Sequence, residues 1–320
     1  MSGRKTRDWA DLDADGRERH RFDFVTEVLS TDDETQTAVL RLEPDPRRYT
    51  IKHSSSGRIY IDNFLKVAIP EEVVFEMMQQ HLGGLPISYG PPSISSASGY
   101  SKSRRASLGQ ELNGKAYSPP EEKADPQKEL FSDSGADFVS FISVDIVGST
   151  SLRQKYGEQF DRSYEIFLRE LLTSVGHFHG AVLNVTGDGF IAFIDMPGFT
   201  TQCDNTVDLG LTLLRILREA VNPALEEAGL PLLEMRVGAD VGKARKRVVA
   251  VAATGFQSHD IGSAALNRSV KIQENAQSGQ FLIGQALYEL LHVGWLERSV
   301  LVPFDGELLG AASYGVYEIT

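Results

Sequence analysis

Residues 138–147 read FVSFISVDIV. The run is apolar, β-branched and aromatic over the length of a strand, and it predicts a strand that ends at Asp145 and Gly148. Ser149, Thr150 and Ser151 supply N-cap candidates for a helix from about residue 151. Phe160, Tyr164, Phe167, Leu168, Leu171, Leu172 and Val175 fall on one stripe of that helix. Gly180 breaks it, and AVLNV followed by GFIAFI predicts two strands around the turn Thr186-Gly187-Asp188-Gly189. A second amphipathic helix is predicted from about Thr206 to Ala228 through Leu209, Leu213, Leu214, Ile216 and Leu217. MRVGADVG reads as another strand, Ala264 to Ala276 as another helix, and QFLIG and YGVYEIT as late strands. Helices covering a sheet, in an α+β or α/β sandwich, are the architecture this order implies.

Upstream the pattern is weaker. Tyr49-Thr50-Ile51 and Ile59-Tyr60-Ile61 flank SSSG and predict a hairpin, and Glu71 to Leu82, after Pro70, predicts a helix carrying Val73, Val74, Met77, Met78 and His81. Residues 22–85 therefore read as a small α+β accessory region, with the two methionines as core filler. Residues 86–133 are rich in Ser, Pro, Gly and charge. Loops beyond about 12–15 residues are uncommon inside a compact domain, which marks this stretch as a flexible linker with Lys102, Arg104 and Arg105 solvated in it. The expected division is 1–85 accessory, 86–135 linker and 136–320 the main domain; no internal repeats are evident.

The 320 residues are 41% hydrophobic, enough for one large domain or two ordinary ones. A net charge of −12, from 32 basic and 44 acidic residues, argues against a broad grip on nucleic acid, although an acidic protein can hold a polyanion where metal ions intervene. The single cysteine, Cys203, excludes an internal disulfide or a Cys-rich zinc site. No apolar run approaches the roughly 18–20 residues of a membrane span, and the first 20 residues are too charged for a signal peptide. A soluble, cytoplasmic protein with no nucleic-acid or membrane partner is the expectation. His177 and His179 form an H-x-H pair with no evident third ligand, which favours a structural turn over zinc.

Asp145 and Asp188 stand at the ends of apolar strands beside glycines. A carboxylate there is costly unless it is solvated, paired or bound to metal. Taken singly, each is equally well a turn or capping aspartate. If the two strands are neighbours, both carboxylates leave one rim of the sheet and can share divalent cations such as Mg²⁺ or Mn²⁺, whose preferred ligands are oxygens. The glycine and small residues after Asp145 let backbone N–H groups at the next helix face a phosphate.

In order and spacing, residues 138 to about 319 resemble the catalytic domain of class III nucleotidyl cyclases. FVSFISVDIVGST resembles the family's first metal strand and phosphate loop, HGAVLNVTGDGFIAFI its second metal hairpin, and MRVGADVGKA its glycine-flanked strand. DIGSAALNRSVKIQENAQSGQFLIG resembles the nucleotide-facing helix and following strand, and GELLGAASYGVYEI the closing segment. The resemblance implies an α+β sandwich with a ferredoxin-like sheet core covered by helices. It also implies a homodimer with two active sites at the interface, an NTP substrate and two divalent cations per site. Asp145, Asp188 and the carbonyl of Ile146 would hold the cations; Gly148, Ser149, Thr150 and Lys243 would meet the phosphates. Asp260, Asn267 and Lys271 would come from the partner, Asn267 as the transition-state asparagine. Lys271 stands where an arginine is usual, so charge is kept and the planar fork is lost.

Asn184 departs further: adenylate cyclases usually carry lysine there and guanylate cyclases glutamate, whereas Asp260 matches the adenylate type. An Asn–Asp pair suits adenine, cytosine or, with the amide turned, uracil. Gly262, where many relatives carry a bulky aromatic, does not decide by size. The departures at Asn184 and Lys271 resemble the pyrimidine cyclases of bacterial anti-phage defence. UTP cyclisation to cUMP, then CTP to cCMP, is the leading expectation, with a cyclic-nucleotide effector downstream. A conventional adenylate cyclase, a catalytically silent nucleotide sensor and an interaction protein working through residues 22–85 stay open. His259 is a candidate for base or phosphate contact only by standing next to Asp260.

Overall fold

The computed structural model describes residues 20–32, 37–55, 57–82, 91–129 and 138–320. Strands β1 (Phe24–Asp32) and β2 (Thr37–Pro44) form an antiparallel ribbon that the sequence pattern does not announce, because nearly all of its residues are exposed. The expected hairpin is β3 (Tyr49–Ser54) with β4 (Gly57–Asp62), extended by β5 (Ala68–Pro70), and α1 (Glu71–Leu82) follows. Val74 is buried in a small cluster with Tyr49 and Tyr60; the side chains of Met77, Met78 and His81 lie outside the described residues.

The expected linker is corrected over 91–129. It carries α2 (Ala97–Leu112), whose N-cap Ser96 accepts a bond from Gly99 N. Tyr100, Arg104 and Leu108 form its buried stripe, at the i, i+4, i+8 spacing of one helix face. After α2 the chain continues along the main sheet, where the Gln127 amide bonds both N–H and C=O of Val182 on an edge strand. Composition misleads here because the helix is anchored by an ion pair instead of a broad apolar face. Residues 86–90 and 130–135 of the expected linker lie outside the described residues, as does the charged segment 1–19.

The rest is β6 (Phe138–Ile146), α3 (Ser149–Tyr156), α4 (Glu158–His177), β7 (Gly180–Val185), β8 (Gly189–Ile194), α5 (Phe199–Ile216), a π turn (Leu217–Val221) and α6 (Asn222–Glu227). Then come β9 (Met235–Lys243), β10 (Arg245–Val251), β11 (Phe256–Gly262), α7 (Ala264–Asn275), β12 (Phe281–Gly284), α8 (Gln285–Glu289), α9 (Val293–Leu296), β13 (Ser299–Val302), a 3₁₀ turn (Gly306–Leu309) and β14 (Val316–Ile319). The helix expected from residue 151 is two helices, because Gly157 takes a left-handed φ of 55° between them. The next helix starts earlier than expected, at Phe199.

Seven strands form one sheet in the order β13-β14-β12-β9-β6-β8-β7. The β9–β12 pair is parallel and the other pairs are antiparallel. Alternation along β6 sends Ile142, Val144 and Ile146 to a core shared with Phe167, Leu171, Val207 and Leu213 of α4 and α5, and Val139 and Phe141 to the opposite face with Ala265. On that second face α7 lies directly on β9. A Cβ at Gly238 would strike the backbone of Ser269 and Gln273. Among the described residues no helix is long and apolar enough to cross a membrane.

Two buried charge clusters fasten the N-terminal segments to this sheet. Arg104 makes a two-pronged pair with Glu170 of α4, Nε to Oε2 at 2.7 Å and Nη2 to Oε1 at 3.0 Å. Arg48, fully buried, donates to Asp23, Asp62 and the carbonyl of Leu291. Removing one partner strands the other charge without water. Arg104→Ala is expected to lower stability by about 3–5 kcal/mol in urea unfolding, and Arg104→Met paired with Glu170→Met to recover most of it. A free linker would leave unfolding unchanged in both.

Candidate active site

Asp145 is the penultimate residue of β6, opposite Gly189 of β8 on one side and Arg236 of β9 on the other. Gly189 has no room for a Cβ, which would collide with the Val144 carbonyl; its lack of a side chain lets the β7–β8 turn close on β6. Ile146 N donates to Asp188 O at 2.9 Å, so the two aspartates adjoin through the backbone. The Asp188 charge acts on the Asp145 carboxyl. Ser149 Oγ donates to Asp188 Oδ2 at 3.0 Å, Tyr164 Oη to Thr186 O at 2.8 Å, and Thr186 N to Gly189 O at 2.9 Å. These bonds fix the turn from both of its sides.

Burial raises the Asp145 carboxyl above its ordinary value, Arg236 pulls it down, and the nearby Asp188 charge pushes it up again. Arg236 donates from Nε and Nη2 to Asp145 Oδ2, at 2.9 and 2.8 Å. Sequence reasoning missed Arg236, since nothing in MRVGADVG states which residue of β6 it faces. Among the described residues no group of three or more His, Cys, Asp or Glu side chains gathers for a metal ion. The two adjoining aspartates offer carboxylate oxygens at this rim of the sheet. That composition fits a hard divalent cation whose other positions are filled by water and substrate phosphate.

The turn between β6 and α3 places Gly148 at a left-handed φ of 69°, with Ser149 buried and Thr150 exposed at the helix start. A cavity of about 310 Å³ opens beside it, lined by Val147, Gly148, Ser151, Leu152, Leu232 and Glu234. Asn184 is exposed on β7, just after a register shift between Val182 and Asn184.

The remaining candidates lie elsewhere. Register sets Phe138 against Lys243 and Asp145 against Arg236, so at strand rise Lys243 is on the order of 23 Å along the sheet from the carboxylates. Lys243 thus stands apart from its own chain's carboxylates. Its carbonyl instead accepts from Ser263, the N-cap of α7. Asp260 on β11 pairs with Arg247 on β10 at 2.5 Å. Asn267 and Lys271 lie on the exposed stripe of α7, while Arg268, Ser269, Ile272 and Gln273 face inward. Lys271 Nζ donates to Leu308 O at 2.7 Å. Arg268 pairs with the fully buried Asp240 of β9, to which Tyr314 Oη also donates at 2.8 Å. This network seats α7 and was not anticipated; Asp240 within the apolar run MRVGADVG was its one sequence signal.

The two histidines are structural. His177 contacts Ser93 and Tyr100, and His179, at a positive φ, bonds Asp125 and the Pro91 carbonyl. The His259 side chain lies outside the described residues.

Like charges at Asp145 and Asp188 give a direct test. Asp188→Asn is expected to hold or raise the melting temperature in EDTA, because repulsion is relieved, and to lose the Mn²⁺-induced rise that the unaltered chain shows. Differential scanning fluorimetry reads both.

The family model for the adenylate and guanylate cyclase catalytic domain matches residues 132–305, more than half of the chain. Among solved structures the chain is similar to the guanylyl cyclase Cya2, with 20% identity and a TM-score of 0.47, over 57% of this chain and 90% of that one. It is also similar to the guanylate cyclase domain of RhGC from Catenaria anguillulae in complex with GTP (14% identity, TM-score 0.47, 58% and 97% covered). The adenylyl cyclase CyaB from P. aeruginosa matches at 16% identity and a TM-score of 0.48, over 57% and 93%. No curated protein matches the chain in sequence.

Proposed function

The chain belongs to the adenylate and guanylate cyclase catalytic-domain family and is a nucleotidyl cyclase; from that premise we propose that it cyclises a pyrimidine nucleoside triphosphate, UTP ahead of CTP, in a homodimer with shared sites. The observation that carries the chemistry is the adjoining carboxylate pair Asp145 and Asp188 at one rim of the sheet. With the Ile146 carbonyl they would hold two divalent cations, Mn²⁺ or Mg²⁺. When bound, these supply the charge that favours loss of the 3′-hydroxyl proton and stabilises the α-phosphorus. The 3′-oxygen bonds to the α-phosphorus as the bond to pyrophosphate breaks. Backbone N–H groups at Gly148, Ser149 and Thr150 face the phosphates. Asn267 orients the ribose and α-phosphate by hydrogen bonds, and Lys271 brings its charge to the same place after releasing the Leu308 carbonyl.

Support for a dimer comes from the division of the candidates along one chain. A second source is the β10–β11 ribbon, which exposes Val248 and Phe256 to 56% and 55% alongside Val249 and Val251. Apolar side chains at that exposure favour burial against another surface. Support for a pyrimidine comes from the departures at Asn184 and Lys271, and from Gly262, where a Cβ would lie 3.0 Å from Arg247 Nε. The arginine thus narrows the space that Gly262 leaves open. A cyclic pyrimidine nucleotide would act on a downstream effector, in anti-phage defence by the resemblance. Asp260 favours one second reading, an adenylate cyclase.

Incubating the purified chain with each of the four NTPs and Mn²⁺ is expected to give cUMP above cCMP and little cAMP or cGMP by liquid chromatography. Dominant cAMP would establish the second reading. Asp145→Ala and Asn267→Ala chains are each expected to be inactive alone. Their mixture, after subunit exchange, is expected to regain roughly a quarter of the activity, since one site in a heterodimer keeps both halves. An inactive mixture with exchange verified removes the shared site.

A further inference from the structure

Arg236 divides its guanidinium between two partners. Nε and Nη2 hold Asp145 Oδ2, and Nη1 donates at 2.5 Å to the carbonyl of Glu274, in the last turn of α7. The pair is partly shielded, with 28% of the arginine side chain and 15% of the aspartate exposed, so its charge-assisted bonds are stronger than those of an open surface pair. Asp188, next to Asp145 through the Ile146 N–H bond to its carbonyl, accepts from the neutral Ser149 hydroxyl. One guanidinium therefore holds Asp145 and at the same time bonds the end of the helix that carries Asn267 and Lys271.

We propose that Arg236 is a positioning residue that serves as the internal counter-cation of Asp145 and ties cation loading at that carboxylate to the placement of α7. The inference rests on the reading of Asp145 and Asp188 as cation ligands. A divalent ion at Asp145 competes with the guanidinium for the same negative charge. The guanidinium is a rigid plane, so any change in its hold on Oδ2 also changes its hold on Glu274. Gly238 lets the α7 backbone at Ser269 and Gln273 rest directly on β9, two residues from Arg236, so the end of α7 lies against the strand that carries the guanidinium. In a homodimer with shared sites, α7 of one chain completes the other chain's site. Cation loading in one site is thus felt in the other.

The test uses the full chain without nucleotide. Mn²⁺ is titrated by calorimetry, and amide hydrogen exchange is followed at residues 272–275 with and without Mn²⁺. Arg236→Gln is expected to bind Mn²⁺ roughly three- to tenfold more tightly, from the loss of one nearby positive charge. Mn²⁺ should alter exchange at the end of α7 in the unaltered chain and leave it unaltered in this variant. Arg236→Lys keeps the charge without the fork: its affinity should stay near the unaltered value while the exchange response is lost. Unchanged or weaker Mn²⁺ binding by folded Arg236→Gln, or a persisting α7 response in either variant, overturns the proposal. If Arg236→Gln does not fold, the exchange response of Arg236→Lys decides. An unaltered chain that takes up no Mn²⁺ overturns the cation-ligand reading and this inference with it.

Discussion

Asp145 and Asp188 are pressed together because Gly189 lets the β7–β8 turn close onto the end of β6. Half-buried carboxylates in such contact repel, and the surrounding structure answers that repulsion in several ways. Arg236 supplies positive charge from the adjacent strand, the Ser149 hydroxyl donates to Asp188, and Tyr164 pins the turn through Thr186. A site built this way favours a divalent cation, which relieves repulsion that the fold has already imposed. The geometry of three strand ends thus comes before the chemistry and makes it possible.

Placement of the other candidates follows from strand direction. Antiparallel pairing of β6 with β9 puts Asp145 and Lys243 at opposite ends of the same ladder. The Asp240–Arg268–Tyr314 cluster turns the opposite side of α7 outward with Asn267 and Lys271. In the proposed homodimer these outward residues of α7 and the carboxylates at the end of β6 would serve different sites.

The N-terminal third is fastened by buried ion pairs as well as by apolar contacts of Phe64, Leu65, Ile94, Tyr100 and Leu108 with the main core. Arg48 joins Asp23 and Asp62 to the Leu291 carbonyl, Arg21 joins Asp23 to Asp204, and Arg104 joins α2 to Glu170. Such pairs contribute less net stability than their Coulomb energy suggests, yet they punish any misplaced partner severely. The N-terminal segments are held in one defined position against α4, α5 and the loop after α8. Whatever acts on those segments is in mechanical contact with the helices behind the sheet.

Much of the sheet was legible from local pattern alone. FVSFISVDIV, GFIAFI and MRVGADVG became β6, β8 and β9 nearly as read, because a strand buried on both faces has to be apolar along its whole length, and AVLNV became the partly exposed edge strand β7. The two aspartates were legible for the converse reason: a charge at the end of such a run is conspicuous. Helix α2 was not legible, since its anchors are Arg104 and its distant partner Glu170, and composition cannot separate a solvated arginine from a buried, paired one. Arg236, Lys243 and Asp240 were decided by tertiary structure alone. Their roles depend on which residue stands across the ladder or under the helix, and register is a relation between segments that no single segment encodes.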